Sequence, residues 1–218
     1  MLIVCTKDPI IVRTAQDPRS GADQWGTLVI INPRFNQAQA TDAIADALRG
    51  RNEPVCFSAH GNDDEIGDAG TGVRDWGWSR TQLALILQNA CPGLGGPILI
   101  HACAENVSNF SAGLVVALEA IRALAGVWIY GYQRAVPSDA GFPNPATLDR
   151  NRELYGTRVS YRPDGATAQD ATAQDTTHAP TGSYRASFPS GYTVEVPQGF
   201  DPDEVRRLLG LMAESPLR

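Results

Sequence analysis

Short apolar runs alternate with helix-like segments from the N-terminus to Tyr132. Runs of branched apolar residues predict buried strands over residues 2–6, 27–31, 54–60, 96–103 and 127–132. Apolar positions at helical spacing predict helices over residues 37–50, 79–90 and 108–126. Ser79 and Gln82 fit a capping box at the start of the second of these helices. This succession predicts an α/β fold with a mostly parallel central sheet and helices on both faces.

The alternation of strand-like and helix-like segments becomes less regular after Tyr132. A proline-containing loop is expected over residues 133–151, and a further strand over residues 156–163. The following stretch repeats ATAQD in tandem and has little apolar surface to bury, which predicts a mobile linker over residues 164–187, centred on 165–182. Residues 188–218 are expected to add an edge strand and a helix that starts at Asp201, within the same domain as the core over residues 1–163.

Composition narrows the possible functions. With 218 residues, of which 43% are hydrophobic, the chain can build one sizeable core. A net charge of -6 without clustered Lys and Arg argues against nucleic acid as a partner. No apolar window is long enough for a membrane span, and the N-terminal apolar run fits a strand better than a signal peptide. The four cysteines form no CxxC pair, which favours free thiols in a cytoplasm, that of the producing cell or of a target cell.

Two predicted strands end in residues that can do chemistry. One ends at His60 and Gly61, the other at Cys103, and ligands of open α/β sheets bind at the carboxyl ends of strands. A thiolate is a strong nucleophile, and an imidazole can exchange its proton. The N–H groups of Gly61 and Cys103 can hold an oxyanion, and a helix directly after Cys103 would favour the thiolate. The plainer interpretation is a small buried cysteine and a loop histidine, and a zinc site that includes His101 has weak support.

The two blocks VCFSAHG and ILIHACAEN resemble the caspase-like cysteine peptidases, a clan that includes caspases, metacaspases, gingipains and the self-processing domains of bacterial toxins. The resemblance implies a three-layer α/β sandwich and a cysteine endopeptidase that cleaves a peptide or protein substrate, in some members itself, without cofactor or metal. It implies that Cys103 is the nucleophile, His60 the general acid/base and Gly61 an oxyanion donor. It also implies that the histidine is oriented by backbone rather than by an acidic side chain.

The chain departs from the clan at His101, two residues before Cys103, where metacaspases carry Asp. Residues two apart on a strand share a face, so we expect His101 beside Cys103, either selecting the substrate residue or bonded to a neighbouring carboxylate or carbonyl. Asp63 and Asp64 follow Gly61 and can attract basic substrates, although a solvated acidic loop is the simpler interpretation. Two other functions stay open, a non-catalytic binding module of the same fold and a Cys-dependent amidase or acyltransferase.

Overall fold

A computed structural model describes residues 1–70, 72, 74–104 and 109–161, and the backbone of residues 183–187 and 193–197. The chain divides into two units, Met1–Pro163 and Asp164–Arg218. The predicted linker up to residue 182 and the helix expected at Asp201 lie outside the described residues. Residues 183–187, which the sequence analysis assigned to the linker, form a strand in the second unit.

The strands of the first unit are β1 (Leu2–Val4), β2 (Leu28–Ile30), β3 (Val55–Ser58), β4 (His60–Gly61), β5 (Glu65–Gly67), β6 (Gly77–Ser79), β7 (Ile98–His101), β8 (Trp128–Tyr132) and β9 (Leu154–Arg158). The helices are α1 (Pro9–Gln16), α2 (Gln37–Leu48), α3 (Arg80–Ala90) and α4 (Phe110–Ala120). Short 3-10 helices cover Ala22–Trp25 and Pro145–Arg150. In the second unit, β10 (Ser183–Ser187) pairs with β11 (Thr193–Pro197) in an antiparallel sheet.

Six strands form the central sheet, in the order β2-β1-β3-β7-β8-β9. All neighbouring pairs are parallel except the last, in which β9 runs antiparallel to β8. The predicted α/β class with a mostly parallel sheet is therefore confirmed. Because β3 and β7 are neighbours, the two strand ends that the sequence analysis singled out lie side by side, and Ser58 is opposite His101.

Alternation along the strands divides the core between the two faces of the sheet. On β3, Val55 and Phe57 pack into the larger apolar cluster, which is closed by α2, α3 and α4. Cys56 points to the other face, into the cluster that contains Ile11 of α1 and Trp25 of the first 3-10 helix. Helices thus cover both faces of the sheet.

Several elements differ from the sequence prediction. Helix α1 was missed, although Asp8 at its N-cap and Pro9 at its first position are strong start signals. The predicted helix over 108–126 ends at Ala120, and Arg122 and Leu124 then adopt left-handed backbone angles with φ of 54° and 53°. Strand β9 lies earlier than predicted because it pairs with β8 from Leu154 onward.

A three-stranded antiparallel sheet, formed by β4, β5 and β6, is inserted between β3 and α3. The predicted strand over 54–60 breaks at Ala59, whose N–H donates to the His101 carbonyl, and the chain then pairs His60 with Gly67. Trp76 and Trp78, both 1% exposed, anchor this small sheet in the core. His60 therefore lies on the inserted sheet, beside the central one. Within the described part of the chain, no helix has the length and apolar character to cross a membrane.

Candidate functional site

A small crevice lies at the carboxyl ends of β3 and β7, on the sheet face that α1 covers. It contains His60, His101 and Cys103, the three side chains that the sequence analysis placed at these strand ends. The rest of its wall comes from β3, α1 and one loop: Ile11, Ser58, Ala59, Val136, Pro137, Ser138, Ala140 and Phe142.

Cys103 differs from the other cysteines in its environment. Its side chain is partly exposed, whereas the three other cysteines are buried. Its Sγ lies 3.4 Å from both the backbone N and the backbone O of Val136. Helix α4 begins at Phe110 rather than directly after Cys103, so the expected contribution of a helix N-terminus to the thiolate has no support within the described residues.

His60 has an acidic partner that the sequence analysis did not find. Its Nε2 lies 2.6 Å from Oδ2 of Asp8, the N-cap residue of α1, and each side chain is 21% exposed. The resemblance implied orientation by backbone, but here a carboxylate contacts the imidazole. The Asp-Pro helix start is the sequence signal that would have drawn attention to Asp8.

Gly61 lies close to Ala102, the residue before Cys103. A Cβ at Gly61 would lie 3.0 Å from the Cβ of Ala102 and 3.2 Å from the Glu65 carbonyl oxygen, so a larger residue would push β4 outward. Gly61 faces Ile66 across the β4–β5 ladder, and the next residue, Asn62, donates to Glu65. Since hydrogen-bonded pairs alternate along an antiparallel ladder, the Gly61 N–H points away from β5 and is left for another acceptor.

His101 is 5% exposed, and its ring packs against Phe142 and Tyr132. Its Nε2 lies 3.3 Å from the Gly141 carbonyl oxygen, to which it donates as the neutral imidazole. Burial lowers the pKa of His101 to about 4. The structural interpretation left a carboxylate or a carbonyl as the partner of His101. The observed partner is a carbonyl, and the contact ties the end of β7 to the loop that follows β8.

Ser58 is a crevice residue that the sequence analysis did not single out. It is 1% exposed, and its Oγ has no hydrogen-bond partner among the described residues. Buried hydroxyls are nearly always bonded, so this one is available to a ligand or a water molecule in the crevice. Its only sequence signal was its place two residues before His60 in the strand predicted over 54–60, where alternation would put both side chains on one face.

Asp63 and Asp64 do not line the crevice. They form the turn between β4 and β5, and Asp64 pairs with Arg80 at 2.5 Å with its side chain 79% exposed. Asp68, further along the same acidic stretch, is instead almost buried and is paired with Lys7 at 3.1 Å. The acidic cluster therefore contains an exposed carboxylate, Asp64, and a structural one, Asp68.

The loop Val136–Phe142 closes the crevice from outside. Val136 contacts the Cys103 sulfur, Gly141 accepts from His101, and Phe142 donates its N–H to the Ser20 carbonyl. The space left inside has room for about one water molecule. A ligand larger than this would need the loop to move away from Cys103.

Within the described residues, no group of three or more His, Cys, Asp or Glu side chains is arranged to hold a metal ion. The crevice presents a thiol, two imidazoles and the Ser58 hydroxyl, and the Asp8 carboxylate contacts one of the imidazoles. No model of a known protein family matches the sequence, and no curated protein matches it.

Proposed function

We propose that the protein is a cysteine endopeptidase of the caspase-like kind, with Cys103 as nucleophile and His60 as general acid/base. The observation that carries the proposal is the convergence of these two side chains in one crevice at the ends of adjacent parallel strands. The mostly parallel sheet with helices on both faces agrees with a caspase-like sandwich. The resemblance of the two sequence blocks then assigns the roles.

In the proposed reaction, His60 takes the thiol proton and the Cys103 thiolate attacks the carbonyl carbon of the scissile amide. The C–N bond breaks as the imidazolium gives its proton to the departing amine, which leaves a thioester on Sγ. Water then attacks the thioester carbon and gives a proton to His60. The carbon–sulfur bond breaks, the carboxylic acid leaves, and the proton returns to Cys103.

The negative charge that develops on the carbonyl oxygen needs donors in place. The Gly61 N–H, which the β4–β5 ladder does not use, is one donor in this proposal, and the Cys103 N–H is the second. Such a donor typically contributes about 10²–10³ in kcat. A residue other than glycine at position 61 would move this N–H, because its Cβ would press on Ala102.

The small size of the crevice favours one alternative, a Cys-dependent amidase or acyltransferase that acts on a small substrate. The endopeptidase and the amidase or acyltransferase use the same thioester chemistry. They differ only in the size of the substrate that the crevice admits once the Val136–Phe142 loop moves. A non-catalytic binding module has less support, since it gives no reason for a partly exposed thiol and an imidazole in one crevice. The free state of all four cysteines fits a reducing compartment such as the cytoplasm.

We predict that a thiol-directed peptidyl electrophile labels Cys103, as read by mass spectrometry of the digested protein. In a peptide-library cleavage assay, Cys103→Ala should abolish turnover and His60→Ala should lower it by more than about 10²-fold. The double variant should be scarcely worse than the worse single variant, because the two side chains act as a unit.

Cys91→Ala is the matched control, because Cys91 is equally a cysteine but is buried away from the crevice, and it should retain activity. Labelling at Cys5 or Cys56, or cleavage by Cys103→Ala, would contradict the mechanism. A protein that hydrolyses small amides but no peptide would instead be the amidase.

A further inference from the structure

The contact between His60 and Asp8 assigns a role to a residue outside the two blocks that carry the resemblance. Asp8 lies between β1 and α1, and its Oδ2 is 2.6 Å from Nε2 of His60. It is not among the residues that line the crevice. The carboxylate therefore contacts the imidazole without itself lining the crevice.

The Asp8 carboxylate is fixed in place by the start of α1. Its Oδ1 accepts the N–H of Ile10 at 2.6 Å as the helix cap, which leaves Oδ2 for His60. The Asp8 N–H donates to the Thr6 hydroxyl, which itself donates to Asp68. Burial acts to raise the pKa of Asp8, but the hydrogen bonds from Ile10 and His60 and the charge of His60 outweigh it, so that this pKa lies below its ordinary value.

We propose that Asp8 is the positioning residue of His60: it accepts the Nε2–H, fixes that tautomer, and leaves Nδ1 to exchange the proton with Cys103. The hydrogen bond at one imidazole nitrogen determines which nitrogen carries the proton. The carboxylate also stabilises the imidazolium that forms while the thiolate attacks, and it stays ionised throughout. This inference rests on the proposed function of Cys103 and His60.

Asp8→Asn is the decisive variant because it has the same shape and also caps helices well. An Asn with its oxygen on the helix N–H presents an NH₂ group to Nε2, which favours the opposite tautomer with the proton on Nδ1. We expect kcat to fall by about 10³–10⁴-fold with KM little changed, as for the same substitution in serine-protease triads. Asp8→Ser keeps the cap but leaves Nε2 without a partner, and we expect a smaller loss.

Asn36→Ala is the matched control for helix capping. Asn36 caps α2 as Asp8 caps α1, but none of its contacts is with the crevice. We expect this variant to lose stability and to keep the parent kcat. A fall in kcat for Asn36→Ala comparable with that of Asp8→Asn would show that helix capping, not the carboxylate, is responsible, and would overturn the proposal.

A second readout does not depend on turnover. Nitrogen-15 NMR of the imidazole side chains, with the His60 signals identified by their absence in His60→Gln, reports which nitrogen carries the proton. We expect Nε2–H in the parent and Nδ1–H in Asp8→Asn. If the parent and Asp8→Asn show the same His60 tautomer, the proposal is overturned. It is also overturned if Asp8→Asn keeps the parent kcat and changes only the preference for basic substrates. If the tautomer shifts but the parent cleaves no peptide, the proposed function fails while the Asp8–His60 pairing stands.

Discussion

At the scale of single residues, the same side-chain type takes different roles according to its surroundings. Burial raises the pKa of Cys5 and Cys56, and raises that of Cys91 to about 11, which disfavours their thiolates. Cys103 alone among the described cysteines is partly exposed, and it lines the same crevice as His60. A nucleophile must be accessible, and Cys103 is the one cysteine of the four that is not buried.

The two crevice histidines differ in the same way. His60 is paired with a carboxylate and is partly exposed, whereas His101 is almost fully buried and bonded to a carbonyl. His60 is therefore suited to proton exchange. The neutral His101 is suited to holding the Val136–Phe142 loop.

We predict that His101 makes the stability of the protein depend on pH. The folded state keeps His101 neutral down to about pH 4, whereas an unfolded chain protonates it below about 6.5. The unfolded state therefore binds more protons in this range, and the free energy of unfolding falls as the pH falls. Between pH 7 and pH 5 this single group should remove about 2 kcal/mol.

Urea denaturation of the parent and of His101→Gln at both pH values measures the effect. The variant is expected to be less stable at pH 7 but to lose less on going to pH 5. An equal loss in the two proteins would show that His101 is not the group responsible.

At the scale of elements, the inserted sheet depends on one carboxylate that joins it to the end of β1. Asp68 accepts hydrogen bonds from the Thr6 hydroxyl and the Lys7 N–H, and from the N–H of Trp76. Lys7 also lies over the Trp76 ring, 4.5 Å from its centre. This network fixes the segment between β1 and α1, from which Asp8 reaches His60.

We predict that Asp68→Asn destabilises the protein by about 2–3 kcal/mol, because it breaks a mostly buried ion pair and leaves the Lys7 ammonium without its carboxylate. Chemical denaturation gives the difference in free energy of unfolding. Asp64→Asn is the matched control on the same inserted sheet: its pair with Arg80 is exposed, and we expect a change below about 0.5 kcal/mol. Equal effects of the two substitutions would refute the structural role given to Asp68.

At the scale of the whole molecule, the first unit has a core of its own. Both apolar clusters are built from residues between Met1 and Val159. All the crevice residues belong to the same unit. Every residue named in the proposed chemistry therefore lies within Met1–Pro163.

We predict that a fragment of residues 1–163 folds by itself. All four tryptophans lie in it, so their fluorescence reports the same core in the fragment and in the full chain. We expect the same native emission and one cooperative urea transition. A fragment of residues 1–150 lacks β9 and the buried Val159, and is expected to unfold without cooperativity. The absence of a cooperative transition in the longer fragment would disprove the prediction.

The sequence by itself determined strands β1, β2, β3, β7 and β8, helices α2, α3 and α4, and the edge of the sheet at which the chemistry is proposed. Strand alternation and helical spacing depend on residues that are close together in the sequence. The predicted capping box of Ser79 and Gln82 is also local, and it is confirmed. Two strand-end residues, His60 and Cys103, could be brought to one edge because parallel strands end on the same side.

Only the tertiary structure decided which groups touch these two residues. Asp8 reaches His60, the Gly141 carbonyl binds His101, and the Val136 backbone covers Cys103. Each of these contacts joins segments that are far apart in the sequence. At least one partner in each contact lies in a loop, and loops carry no hydrophobic periodicity from which their path could be predicted. Their partners are selected by how α1 and the loop after β8 pack on the sheet, and no local pattern of residues encodes that packing.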